Sequence, residues 1–165
     1  MTSNRRQRYQ LCRWIGKITV LISIIFVTYL ISKNYIQLML IQGDSMKPTY
    51  NNMQLVFLDK TSDEYVVNDV IAFKCKELST VLVKRIVAVP GDTVQIIDNA
   101  LYVNGQKNVY YEDVYFTYAG ITEKVTELTE SQYFVIGDNV EKSKDSRYAE
   151  VGCVDERSII GRVYR

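Results

Sequence analysis

The chain has 165 residues, 47% of them apolar and 24% charged, with 20 Lys and Arg against 19 Asp and Glu, three cysteines and no histidine. That length holds one domain of roughly 100 to 150 residues and little more, and the composition is that of a chain with a packed core. The lack of imidazole excludes Ser-His-Asp and Cys-His catalysis and the usual His-containing zinc sites, so a hydrolase here needs another base.

Charge is unevenly spread. Residues 1–17 carry Arg5, Arg6, Arg8, Arg13 and Lys17 without an acid, which leaves 15 basic against 19 acidic residues in the rest of the chain. A basic arm can grip nucleic acid, but the next segment decides otherwise. Ile18 to Ser32 is uncharged and strongly apolar, and the positions from Trp14 to Ser32 would span roughly 28 Å as a helix, close to a bilayer's hydrocarbon thickness of about 30 Å. A cleaved secretory signal or a buried core helix would share this pattern. However, Ser32 leads into Lys33, Asn34 and Tyr35, with no small-x-small cleavage site. The expectation is therefore an uncleaved single-pass anchor in the cell membrane, in contact with lipid and with no nucleic-acid partner. The basic excess before the span places the N-terminus in the cytoplasm. The predicted divisions are a basic cytoplasmic arm at 1–13, a transmembrane anchor at 14–33 and an extracytoplasmic domain at 34–165.

Cys75 and Cys153 fall in the outer domain, where thiols can oxidise, but their spacing in sequence leaves open whether they pair. No cysteine has a metal-ligand spacing, so no metal and no cofactor are expected. Beyond the anchor, strand-length runs rich in branched and aromatic residues occur at Tyr35–Ile41, Gln54–Leu58, Val70–Cys75, Val81–Val89, Thr93–Ile97, Leu101–Val103, Tyr133–Ile136 and Ile159–Tyr164. Asn104-Gly105 is a type I′ hairpin signal. The stretch Val109–Ser131 reads as an excursion from the sheet. The predicted fold is mainly β: an N-terminal transmembrane helix followed by one small, mostly antiparallel β-sheet domain.

Three segments hold residues that such a domain does not require. In Gly43-Asp44-Ser45-Met46-Lys47-Pro48-Thr49 the ordinary reading is a turn. The chemical alternative is a backbone opened by Gly43 for close approach, with Ser45 presenting its hydroxyl and its N–H to one carbonyl. In Val81–Asp92, alternation puts Leu82, Lys84, Ile86 and Ala88 on one face and Val83, Arg85 and Val87 on the other, one cation in each apolar row. Both cations could simply snorkel from an edge. Alternatively, burial could lower the pKa of Lys84 by as much as roughly 3 to 5 units, and an amine near about 7 to 8 can serve as a general base. In Gly137–Arg147, Gly-Asp-Asn and the mixed charge run are ordinary loop chemistry, or else a hydroxyl and an acid–arginine frame that hold an amine in place.

In their order and wording these segments resemble the bacterial type I signal peptidases, in a compact, Gram-positive-like form. The motifs are GDSMKPT at 43–49, VKRIVAVPGD at 83–92, LYVNG at 101–105, GDNVEKSKDSR at 137–147 and IIGRVY at 159–164. The resemblance extends from the anchor to Arg165, and the absence of histidine agrees with a Ser-Lys mechanism over the Ser-His form of the related endoplasmic-reticulum enzymes. It implies a serine endopeptidase that removes signal peptides from exported preproteins after small residues at −3 and −1. Ser45 would be the nucleophile and Lys84 the general base and acid. Ser143 would orient the lysine, with Asp138, Arg85, Asp145 and Arg147 as the polar frame and the Ser45 backbone N–H in the oxyanion hole. Gly43 stands where some members carry a hydroxyl, so the second oxyanion donor is unassigned. The short interval from Arg85 to Ile136 suggests an accessory member with a narrow set of substrates, such as pilus or surface proteins. Two other classes compete: a non-catalytic relative that binds or assists surface proteins, and a self-cleaving repressor-type Ser-Lys peptidase. Possession of both Ser45 and Lys84 disfavours the first. The anchor, and the absence of a helix-turn-helix pattern, disfavour the second.

Overall fold

The computed structural model describes residues 3–62 and 64–164. The chain forms two compact units, Met1–Gln37 and Leu38–Arg165. The first is built on α1, Ser3–Tyr35, a single helix of 33 residues. Its most apolar window, Arg13–Leu30, has a mean hydropathy of 1.6, and none of it is buried. Trp14, Ile22 and Phe26 are 63%, 60% and 58% exposed. Such a surface is costly in water and normal in lipid. The predicted span at 14–33 lies inside α1, which also takes in residues 3–13 of the predicted arm.

The second unit is β-rich. Its strands are β1 (Ile36–Leu40, shared with the end of the first unit), β2 (Leu55–Asp59), β3 (Val70–Cys75), β4 (Thr80–Ala88), β5 (Thr93–Ile97), β6 (Ala100–Val103), β7 (Gln106–Lys107), β8 (Thr126–Glu127), β9 (Gln132–Ile136), β10 (Val154–Asp155) and β11 (Ile159–Tyr164). They make a seven-stranded sheet in the order β1-β2-β11-β3-β4-β9-β10 and a four-stranded sheet in the order β7-β6-β5-β8. The pairings of β2 through β11 are antiparallel. All eight predicted strands are present within two residues at either end, and Tyr35 closes the helix instead of opening β1. β7, β8 and β10, at two residues each, are too short to carry a period-2 pattern, and of the three only β7 has a signal in the sequence, the hairpin turn that precedes it. The Asn104-Gly105 hairpin forms as expected, with φ of 52° and 73° between the paired Val103 and Gln106, the positive values that a type I′ turn needs.

β4 is the strand on which the site depends, and its alternation is not strict. Pairing with β9 shifts register between Ile86 and Ala88, a bulge that turns the side chains beyond it. Ile86 packs with Ile71, Phe73, Leu82 and Val135. Val87 and Ala88 both join the core of Val94, Leu101, Phe134 and Ile136. The expectation that Ala88 continues the row of Lys84 and Ile86 is therefore corrected. Before the bulge alternation holds. Lys84 pairs in register with Ile71 and Arg85 with Val70, and these two neighbours belong to different core clusters.

The excursion at Val109–Ser131 is an integral part of the domain. Tyr111, Phe116 and Leu128 are 1%, 1% and 5% exposed and complete the second core. Cys75 and Cys153 are free thiols. The Cys75 Sγ donates to the Glu150 carbonyl at 3.5 Å, and burial pushes the Cys153 thiol up.

Candidate active site

Ser45 lies in the turn after β1, and Lys84 lies on β4 just before the bulge. The fold brings them into contact, with Lys84 Nζ 2.6 Å from Ser45 Oγ. Lys84 is 3% exposed. Burial lowers its pKa from 10.5 to about 8, against the pull of Asp145 and Asp138 and with a smaller push from Arg147 in the same direction as burial. Two carboxylates beside an amine would ordinarily hold it charged. Here each carboxylate is occupied by a guanidinium of its own. Arg85 Nε and Nη2 donate to Asp138 Oδ1 and Oδ2 at 2.7 and 2.6 Å. Arg147 Nε and Nη2 donate to Asp145 Oδ1 and Oδ2 at 2.8 and 2.9 Å. Two bidentate pairs thus leave burial as the dominant influence on Lys84.

The frame also fixes distances. Arg85 Nη1 donates to the Asn68 carbonyl at 2.8 Å, and its guanidinium carbon is 4.5 Å from the centre of the Tyr110 ring. Arg147 Nη2 donates to the Val140 carbonyl at 2.9 Å, and the Gly137 N–H donates to Asp145 Oδ2 at 3.2 Å. Asn139, ordinary turn chemistry by residue type, ties the two sides together. Its N–H donates to the Ser45 carbonyl at 2.9 Å, and its Nδ2 donates to the Asp44 carbonyl at 3.2 Å. Asp138 grips the residue after Lys84, and Asn139 grips Ser45, so two adjacent residues set the separation of the hydroxyl and the amine. Nothing in residue type marked Asn139, since Gly-Asp-Asn after a strand is common in turns. Only the contacts single it out.

Gly137 has a different requirement. A Cβ there would collide with the Ser143 hydroxyl and the Ser45 carbonyl, so glycine allows the loop to close over the nucleophile turn. Ser143 is 3% exposed, and its Oγ has no hydrogen-bond partner among the described residues. The hydroxyl is thus beside the site as expected, without the bond to Lys84 that the resemblance implies. The Gly43 N–H donates to Asn52 Oδ1 at 2.9 Å. The Ser45 N–H has no backbone acceptor among the described residues.

A hydroxyl in contact with a buried amine of lowered pKa, on a mostly antiparallel β scaffold, is the arrangement of a hydrolase that uses lysine where others use histidine. The signal peptidase family, peptidase S26, matches residues 11–165. Signal peptidase I P from Bacillus subtilis subsp. natto is 29% identical over 169 residues, covering 95% of this chain and 89% of its own. Signal peptidase I of Bacillus licheniformis is 33% identical, over 74% of this chain and 71% of its own. Signal peptidase IB of Staphylococcus aureus is 30% identical, over 93% and 87%. The crystal structure of a signal peptidase I from Enterococcus faecalis V583 aligns with a TM-score of 0.52 at 29% identity, covering 63% of this chain and all of that one. The chain belongs to the signal peptidase family, and its class is that of the serine endopeptidases.

Proposed function

We propose that the chain cleaves signal peptides from exported preproteins, with Ser45 as nucleophile and Lys84 as general base and acid. The observation that carries this reading is the 2.6 Å contact between Ser45 Oγ and the buried Lys84 Nζ. Neutral Lys84 takes the hydroxyl proton as Oγ attacks the scissile carbonyl. The resulting oxyanion is stabilised by the Ser45 N–H. Lys84 then gives the proton to the departing amine as the C–N bond breaks, and water releases the acyl group in a second step. Asp138 and Asp145 frame the dyad, and Arg85 and Arg147 keep these carboxylates from charging the amine, while Ser143, whose Oγ has no hydrogen-bond partner among the described residues, orients the amine by turning onto it during turnover. A substrate strand has a place to bind, because β4 pairs with β3 from Thr80 onward but with β9 only from Arg85. The segment leading to Lys84 therefore offers a free backbone edge for an extended peptide. Small residues at −3 and −1, a cytoplasmic N-terminus and an outer-face domain anchored in lipid by α1 belong to the same proposal.

The experiment uses the purified full chain in detergent with a preprotein, beside Ser45→Ala, Lys84→Ala and Lys84→Arg. Mass spectrometry of the products should find a new mature N-terminus with the parent chain and none with the variants. Nucleophile and base act as a unit, so the double variant should be no worse than either single one. Arginine stays charged and cannot accept the proton. Substantial cleavage by Lys84→Arg would remove Lys84 from the mechanism, and no cleavage by the parent chain would leave a binding protein.

A further inference from the structure

Beyond the dyad, a groove of about 620 Å³ is lined by Lys47 and Pro48, by Asp113, Val114 and Tyr115, and by the turn Asp138–Glu141. Ser45 itself does not line the groove, but two of its walls adjoin the nucleophile turn: Lys47 lies two residues after Ser45, and the Asn139 N–H donates to the Ser45 carbonyl at 2.9 Å. The two flanks of Ser45 differ in chemistry. Before it, Leu38 and Leu40 on β1 are 55% and 39% exposed, and Leu55 and Phe57 on the adjoining β2 are 59% and 51% exposed. After it comes the groove, with charged walls. Lys47 is paired with Asp44 at 2.9 Å and Asp138 with Arg85. Asp113 and Glu141 are exposed and have no ion-pair partner among the described residues. The Asn139 amide donates through Nδ2 to Asp44, which leaves its Oδ1 to accept from a backbone N–H entering the groove.

Resting on the peptidase reading, we propose that this groove receives the first residues of the mature chain, on the carboxyl side of the scissile bond, and that Asp113 and Glu141 make it favour cationic side chains there. A signal peptide is apolar and belongs on the apolar flank. The segment beyond the cut is polar and leaves with a new ammonium group, which suits a groove whose unpaired charges are both negative. Specificity thus extends past the cleavage point, and Asp113 and Glu141 set it by charge from an exposed rim, where such effects are modest and screened by salt.

The test is a competition among three peptides that share the signal side and cleavage site and differ at the second to fourth mature positions, carrying Lys, Asp or neutral residues. With the full chain in detergent at low ionic strength, kcat/KM for the Lys peptide should exceed that for the Asp peptide about fivefold, a ratio within reach of two exposed charge pairs. The ratio should fall toward one in about 1 M salt and in the Asp113→Asn/Glu141→Gln variant, and invert in Asp113→Lys/Glu141→Lys. Equal rates for all three peptides with the parent chain, or a Lys preference that survives in the variants, would overturn the proposal. Failure to cleave even the neutral peptide would instead overturn the peptidase reading on which it rests.

Discussion

Lys84 is held at some cost in stability. In the unfolded chain a lysine keeps its proton to about 10.5, and in the folded chain Lys84 releases it near 8. Between those values the unfolded state binds more protons, so stability rises with pH across that window. Below it, the penalty is about 3 kcal/mol. Lys84→Met should therefore stabilise the fold at pH 7 by about 1 to 3 kcal/mol after the lost Ser45 contact, raising Tm, and the gain should shrink as pH climbs from 8 to 10.5. Thermal melts at several pH values check this. A buried hydroxyl without a partner costs its desolvation, so Ser143→Ala should hold or raise Tm. If Ser143 orients the amine during turnover, the same change should lower kcat about tenfold, a loss of about 1.4 kcal/mol in the transition state. Full activity in Ser143→Ala would make it an ordinary loop serine. At this scale the sequence was most legible where GDSMKPT at 43–49 and VKRIVAVPGD at 83–92 carried the resemblance that implied Ser45 and Lys84, with which the absence of histidine agrees. Asn139 was not legible, because its role depends on which carbonyl faces it.

At the scale of elements, the loop from β9 to β10 supports the site through two guanidinium–carboxylate pairs. Arg147 and Asp145 are 1% and 0% exposed, and breaking one member of such a pair leaves a buried charge at a cost of about 3 to 5 kcal/mol. Asp145→Ala should therefore lower stability and activity together, as denaturant melts and peptide turnover would show. Arg85→Met has a more specific consequence. It frees Asp138 to act on Lys84, so the acidic limb of the pH–rate profile should move to higher pH in whatever activity remains. A limb that stays in place would show that the arginines serve packing alone. The strands around this loop were predictable where branched and aromatic residues run together over strand length, as in β3, β5 and β9. The bulge in β4 was not, since a register shift depends on the partner strand. The role of residues 109–118 was also hidden, because Tyr111 and Phe116 in a polar run look like loop residues until the second core is seen to need them.

For the whole molecule, the exposed apolar helix and the β unit divide the work between holding and cutting. With Arg5, Arg6, Arg8 and Arg13 before the span and no acid until Asp44, the proposed orientation puts the β unit outside the cell. Protease added to cells stripped of their wall should digest residues beyond about 35 and spare an N-terminal tag. A protected C-terminal unit would reverse the proposed orientation. Hydropathy made the separate apolar helix legible from residue types alone, whereas the pairing of nucleophile turn and loop required distant segments to meet.

The central claim is that neutral Lys84 takes the proton from Ser45, and the dependence of kcat/KM on pH with a fixed peptide substrate tests it most directly. The rate should climb tenfold per pH unit in acid and level near pH 8, where the buried amine loses its proton. A profile already level at pH 6 would contradict it, because an amine still charged at that pH could not be the base.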